Sequence, residues 1–144
     1  MKSNIEIVDI MQNIGHNHGA EEAKKTYATY MSPDLVVIEP DSLPYGGRFS
    51  GKAELEEFER IYQSCWSHSE HRVLRCAAVD DHVVTLMEMT ATARKTGRSI
   101  TFNVTEWWRV RNQQIDHIEI FYADTNRVLE TLAVPPRHVN TDHT

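Results

Sequence analysis

Ser99-Ile100-Thr101-Phe102-Asn103-Val104-Thr105-Glu106-Trp107-Trp108-Arg109-Val110-Arg111 alternates as a strand does. After Asn112-Gln113-Gln114 a second strand follows, Ile115-Asp116-His117-Ile118-Glu119-Ile120-Phe121-Tyr122-Ala123-Asp124. Successive side chains of a strand point to opposite faces. Folding the two segments together across the turn sets Trp108 opposite Ile118 and Glu106 opposite Ile120. One face then carries Phe102, Val104, Glu106, Trp108, Val110, Ile118, Ile120, Tyr122 and Asp124. The other shows Thr101, Asn103, Thr105, Trp107, Arg109 and Glu119, with Phe121 among them. The first face is the inner one, and Glu106 lies near its middle.

Working upstream, Val83–Arg94 folds back through Lys95-Thr96-Gly97-Arg98 and adds Thr85, Met87, Met89 and Ala91 to the inner face. A further strand, His71–Val79, precedes the turn Asp80-Asp81-His82. Helical spacing predicts Lys52 to Trp66, with Leu55, Phe58, Ile61, Tyr62 and Cys65 on one face. Ser3 and Glu6 form a capping box for a first helix bearing Ile7, Met11 and Ile14, broken at Gly15–Gly19. A second helix runs from Ala20 to Met31 and stops before Pro33. Leu35–Glu39 is a short strand, and Pro40–Gly51, rich in proline and glycine, is a loop. A last helix covers Thr125–Leu132. Helices first and a long meander after them predict an α+β domain spanning residues 1–134, with a flexible polar tail over 135–144.

The 144 residues suit one domain, and 40% hydrophobic with 25% charged residues is ordinary globular composition. A net charge of −6 argues against nucleic acid and acidic membranes as partners. No apolar run approaches a membrane span or a signal peptide, so a cytoplasmic location is expected. Cys65 and Cys76 lack CxxC spacing and are expected as buried free thiols. Trp107, Leu86 and Phe121 on the outer face suggest a homodimer interface.

Glu39, ending the apolar run Leu35-Val36-Val37-Ile38, and Glu106 carry the chemical lead. A carboxylate on an apolar strand face loses its water, then finds a partner or raises its pKa. Two such groups on one cavity make an acid/base pair for proton abstraction beside a carbonyl. The structural alternatives are a Glu106 tied to Arg109, His117 or a backbone group, and a Glu39 in solvent. Asp124 before Thr125 fits either an acid/base group or a helix N-cap. His16-x-His18 and His68-x-x-His71 have metal-like spacing with no completing ligands, so neither a metal nor a cofactor is expected. Tyr45, in Pro44-Tyr45-Gly46-Gly47, is expected as a lid over the pocket mouth.

Ile38-Glu39-Pro40, Leu43 to Lys52, Glu106-Trp107-Trp108-Arg109-Val110-Arg111 and Phe121-Tyr122-Ala123-Asp124-Thr125, in this order, resemble the NTF2-like superfamily. The branch resembled is that of ketosteroid isomerases and SnoaL-like polyketide cyclases, over about residues 5 to 132. The resemblance implies a cone in which a curved antiparallel sheet wraps the N-terminal helices around a pocket. It also implies a cofactor-independent isomerase or cyclase acting on a hydrophobic polyketide-, steroid- or terpenoid-like carbonyl compound. Glu39 would be the base, Glu106 the acid or oxyanion donor, and Asp124 a second acid/base group. Tyr45, Met87, Met89, Phe102, Trp108, Ile120 and Tyr122 would line the substrate site. The first helix has no tyrosine around Met11 to Ile14, where ketosteroid isomerases carry an oxyanion-hole phenol. A non-catalytic binding protein and an epoxide-hydrolase-like hydrolase or dehydratase are the alternative functions.

Overall fold

The computed structural model describes residues 1–14 and 19–134. The predicted break at Gly15–Gly19 with His16 and His18, and the tail over 135–144, lie wholly or largely outside the described residues. In chain order the elements are α1 (Asn4–Gln12), α2 (Ala20–Tyr30), β1 (Met31–Glu39), β2 (Gly47–Ser50), α3 (Gly51–Cys65), β3 (Trp66–Val79), β4 (His82–Ala93), β5 (Ser99–Arg111), β6 (Gln114–Tyr122) and α4 (Thr125–Leu132). Among the described residues six strands form one sheet in the order β2-β1-β6-β5-β4-β3. Every neighbouring pair is antiparallel except β1 and β6, which run parallel, so the sheet is mixed.

The β5–β6 register is the one read from the sequence: Trp108 faces Ile118 and Glu106 faces Ile120. Arg111 pairs with Gln114, leaving Asn112 and Gln113, both at positive φ (50° and 63°), as a two-residue turn. That backbone matches the right-handed twist of the strands it joins. Burial alternates along β4 and β5, and Val83, Thr85, Met87, Phe102, Val104, Trp108 and Val110 face inward. Against this face α1 packs Ile7, Val8 and Met11. Ser3 caps α1 by accepting from the Glu6 N–H.

Four expectations are corrected. Residues 47–50, expected as loop, form β2 and pair with Val36–Glu39 of β1. Between them Pro40 to Gly46 turns tightly: the Leu43 N–H donates to the Pro40 carbonyl and the Gly46 N–H to that of Leu43. β1 also begins earlier than expected, at Met31, and Pro33 falls where its register with β6 shifts, so the missing N–H costs no ladder bond. β3 starts directly at Trp66, since Trp66 to Glu70 already pair with β4 despite their polar sequence. Cys76, expected buried, is exposed on this edge strand, while Cys65 is half-buried on α3.

A Cβ on Gly46 would meet the Pro40 carbonyl oxygen at 2.1 Å and that of Leu43 at 2.9 Å, both backbone atoms that cannot swing away. Gly46→Ala is therefore expected to destabilise the fold by about 1–3 kcal/mol, as overpacking does. A urea midpoint equal to that of the wild type would overturn this account of the turn.

Candidate active site

Glu39 ends β1 and Glu106 lies within β5. Ile38 is in register with Glu119, which sets Glu39 level with Ile120, and Ile120 pairs with Glu106. The two glutamates thus flank Ile120 in a row across three strands, their backbones about 10 Å apart at ordinary strand spacing. Their side chains line one cavity of about 220 Å³ together with Phe58, Glu59, Tyr62, Met87, Met89 and Val104.

Glu39 is 6% exposed, and its Oε2 has no hydrogen-bond partner among the described residues. Glu106 keeps some surface, consistent with its place on the cavity wall, while the protein around its carboxyl excludes bulk water. Loss of hydration pushes Glu106 up to about 7, and the Gln12 amide, donating to it, holds it from rising further. Burial drives Glu39 well above the usual carboxylate range, and the charge of Glu106 adds to that rise. Hydrogen bonding differs between the two: the Glu106 anion has a donor and the buried Glu39 oxygen does not.

Three phenols stand near Glu39. Tyr45 and Tyr122 join through their hydroxyls at 2.9 Å, and Trp66 Nε1 donates to Tyr45 at 3.2 Å. Tyr62 on α3 accepts from the Ser69 hydroxyl. Burial raises the pKa of all three, and the negative charge of Glu39 raises each further, so they remain protonated.

Of the residues expected at the site, Glu39, Glu106, Met87 and Met89 come together at the cavity. Tyr45 is no lid: it is fully buried, edge-on to Phe58 and Tyr62. Phe102, stacked with Trp66 and Tyr122, and Trp108 belong to the core rather than to the cavity lining. Ile120 and Tyr122 border a separate depression of about 310 Å³, reached by Glu39 from its other side. Asp124 is exposed and caps α4, its Oδ1 accepting from the Arg127 N–H at 3.1 Å. Arg109, a possible structural partner for Glu106, instead pairs with Asp116 at 2.7 Å on the outer face.

Residues not singled out for the site complete it. Phe58, Glu59 and Tyr62 come from α3, where Phe58 and Tyr62 were visible only as an apolar helix face. Gln12 comes from α1, one turn after Val8 on the buried stripe, and donates to Thr85 Oγ1 at 3.0 Å and Met87 Sδ at 3.4 Å as well as reaching Glu106. It occupies the first-helix region that lacks a tyrosine. His68 and His71 project to opposite faces of β3, beside Thr92 and Met89 respectively. Among the described residues no group of three or more His, Cys, Asp or Glu is placed to hold a metal ion.

The SnoaL-like domain family model matches residues 16–118. No curated protein matches the sequence. Solved structures share the fold. An NTF2-like protein of unknown function from Burkholderia pseudomallei superposes with a TM-score of 0.79 at 23% identity, over 93% of this chain and 100% of that one. TerC, co-crystallised with polyporic acid, gives 0.77 at 20% identity, over 90% of this chain and 98% of its own. A protein described as a SnoaL-like polyketide cyclase, from Jannaschia sp. CCS1, gives 0.73 at 15% identity, over 92% and 93%.

The raised Glu106 pKa has a consequence for stability. In the unfolded chain this carboxyl ionises near its ordinary value of 4.5, whereas the native state holds its proton to about 7. Between those values the native state binds more protons, so stability is full below 4.5 and falls as pH rises through 7. Glu106→Gln removes this dependence. Relative to the variant, the wild type is expected to lose on the order of 1–3 kcal/mol between pH 5 and pH 8. Parallel stability curves for the two proteins across that range would rule out a protonated Glu106.

Proposed function

The chain belongs to the SnoaL-like domain family, within the NTF2-like superfamily, and on that footing we propose that it is a cofactor-independent enzyme. It moves protons within a hydrophobic, carbonyl-containing small molecule and thereby isomerises or cyclises it. Support comes first from two desolvated glutamates on one cavity, one with a hydrogen-bond donor and the other with an unpartnered oxygen. The polyketide-cyclase description of one structural relative, and the polyporic acid crystallised with another, support a small organic molecule as ligand.

The roles follow the hydrogen bonding of the two carboxyls and reverse those that the family resemblance implies. Glu106, part ionised near neutral pH and steadied by Gln12, is the base. It takes a proton from the carbon next to the carbonyl, and the electron pair moves onto the carbonyl oxygen. Glu39, whose burial favours the protonated carboxyl, and the Tyr62 hydroxyl are the donors for that oxygen. Return of the proton to a different carbon completes an isomerisation. Attack of the enolate carbon on a second carbonyl, whose oxygen takes up the proton held by Glu106, completes a cyclisation. Met87, Met89, Phe58 and Val104 keep the site dry, which strengthens each of these interactions. Asp124, on the surface at the start of α4, serves that helix as its cap.

The exposed Trp107 (37%) and Phe121 (49%) support a homodimer formed through the outer sheet face, where half-buried Val84 and Leu86 adjoin them. Trp107→Glu should convert a dimer seen by sedimentation into a monomer with the fold intact. A wild-type monomer at micromolar concentration would remove the interface.

2-Tetralone, a compact ketone with acidic α-hydrogens, serves as a probe of the chemistry. The protein is expected to speed deuterium wash-in beside its carbonyl, with a rate that rises with pH through about 7 as Glu106 ionises. Glu106→Gln should lower that rate by about 10²–10⁴-fold, the usual weight of general base catalysis. Binding of the ketone without accelerated exchange would leave a binding protein. Unchanged exchange in a folded Glu106→Gln variant would remove the base.

A further inference from the structure

The catalytic cavity, at about 220 Å³, is smaller than the roughly 300–1,000 Å³ of ordinary ligand sites. It holds the volume of about seven waters, enough for one or two fused rings. A groove of about 760 Å³ lies between α2, the start of β1 and α3. Glu59 borders both spaces. The spacing of α3 accounts for this: Lys52, Leu55, Glu56 and Glu59 make one stripe facing the groove, while Phe58, Glu59 and Tyr62 face the cavity.

The groove is built unlike a gap between packed helices. α2 contributes no buried residue, and Tyr27 stands 46% exposed on it. Charge from Glu59 raises the Tyr27 hydroxyl beyond the effect of burial, which places the two on facing walls. Lys24 and Lys52 supply donors, and Glu56 and Glu59 supply acceptors. Among the described residues Lys24 is paired only with Glu21, at 3.7 Å on the surface, and Lys52 has no ion-pair partner. Two cations against two anions leave no net field to select a fixed ion. Donors and acceptors set around an aromatic ring suit hydroxyl groups, each of which both gives and accepts a hydrogen bond.

We propose that the α2–α3 groove is the second compartment of the substrate site, and that it takes a neutral, hydroxyl-bearing extension, of sugar or polyol character, joined to the carbonyl-bearing ring held between Glu39 and Glu106. Tyr27 and Leu55 pack against the extension, Lys24, Lys52 and Glu56 bind its hydroxyls, and Glu59 stands at the neck. The substrate is therefore larger than the cavity in which it reacts, and its extension gives specificity while the ring undergoes the chemistry. The assignment rests on the proposed reading of the cavity as the reaction site.

2-Naphthol, shaped like the enol of 2-tetralone, and 2-naphthyl β-D-glucoside test it by calorimetric titration of the wild type. The glucoside should bind at least tenfold tighter than naphthol. Tyr27→Ala and Lys52→Met, both on exposed helix positions, should each bring the affinity ratio close to one. Equal or weaker binding of the glucoside overturns the second compartment, as does a variant that weakens both probes by the same factor. If neither probe binds, the cavity is not a ring site and the compartment falls with it. Tighter glucoside binding by a protein that fails the 2-tetralone exchange test keeps the compartment and removes only the catalytic reading.

Discussion

Asn112 and Gln113, turning with two positive φ angles, hold Arg111 opposite Gln114, and the inner face of the domain depends on that register. Strand side chains repeat every two residues, so a slip by one would carry Val104, Glu106 and Trp108 to the outer face. The register also sets Glu106 beside Ile120, and β1, running parallel to β6, delivers Glu39 to the other side of the same residue. Two carboxyls far apart in sequence thus meet one small cavity through backbone hydrogen bonding. Neither has to be drawn inward by a cation.

The environment then separates two chemically identical groups. Gln12 stabilises the Glu106 anion, whereas Glu39 lies against protonated phenols with one oxygen unpartnered. Burial acts on both carboxyls and hydrogen bonding acts on them unequally, so one residue type stands in two environments, as the proposed acid and base roles require. The Trp66–Tyr45–Tyr122 chain fixes polar atoms behind Glu39 that would otherwise be buried alone.

The long strands were legible because alternation and turn chemistry are local: β5 is bounded as read, and its pairing with β6 follows from the turn. β2 was hidden because its four residues have no pattern of their own and are strand only by pairing with β1. The start of β3 was hidden for the same reason, its polar Ser67-His68-Ser69 run being held by β4. Within the site, Glu39 and Glu106 stood out as charges interrupting apolar runs. Phe58 and Tyr62 looked like core, and Gln12 carried no signal beyond its place in a helix. Whether an inward side chain reaches a cavity or only the packing behind it depends on helix placement, which a strand pattern does not contain. That distinction separates Met87 and Met89, at the cavity, from Trp108 and Phe102, in the core.

β3 closes the sheet as an edge strand of 14 residues, of which only Trp66 is buried and His71 is partly covered. Among the described residues no strand pairs with its outer edge, and an open edge is the route by which sheet proteins aggregate. Two irregularities in its pairing with β4, between Trp66 and His68 and between Val73 and Arg75, interrupt the straight ladder such a partner would need. Arg72 and Arg75 add charge on either side of the exposed Val73-Leu74 pair. The arginines therefore act as gatekeepers of solubility, and the edge is most exposed to fibre-like growth where Val73 and Leu74 stand between them.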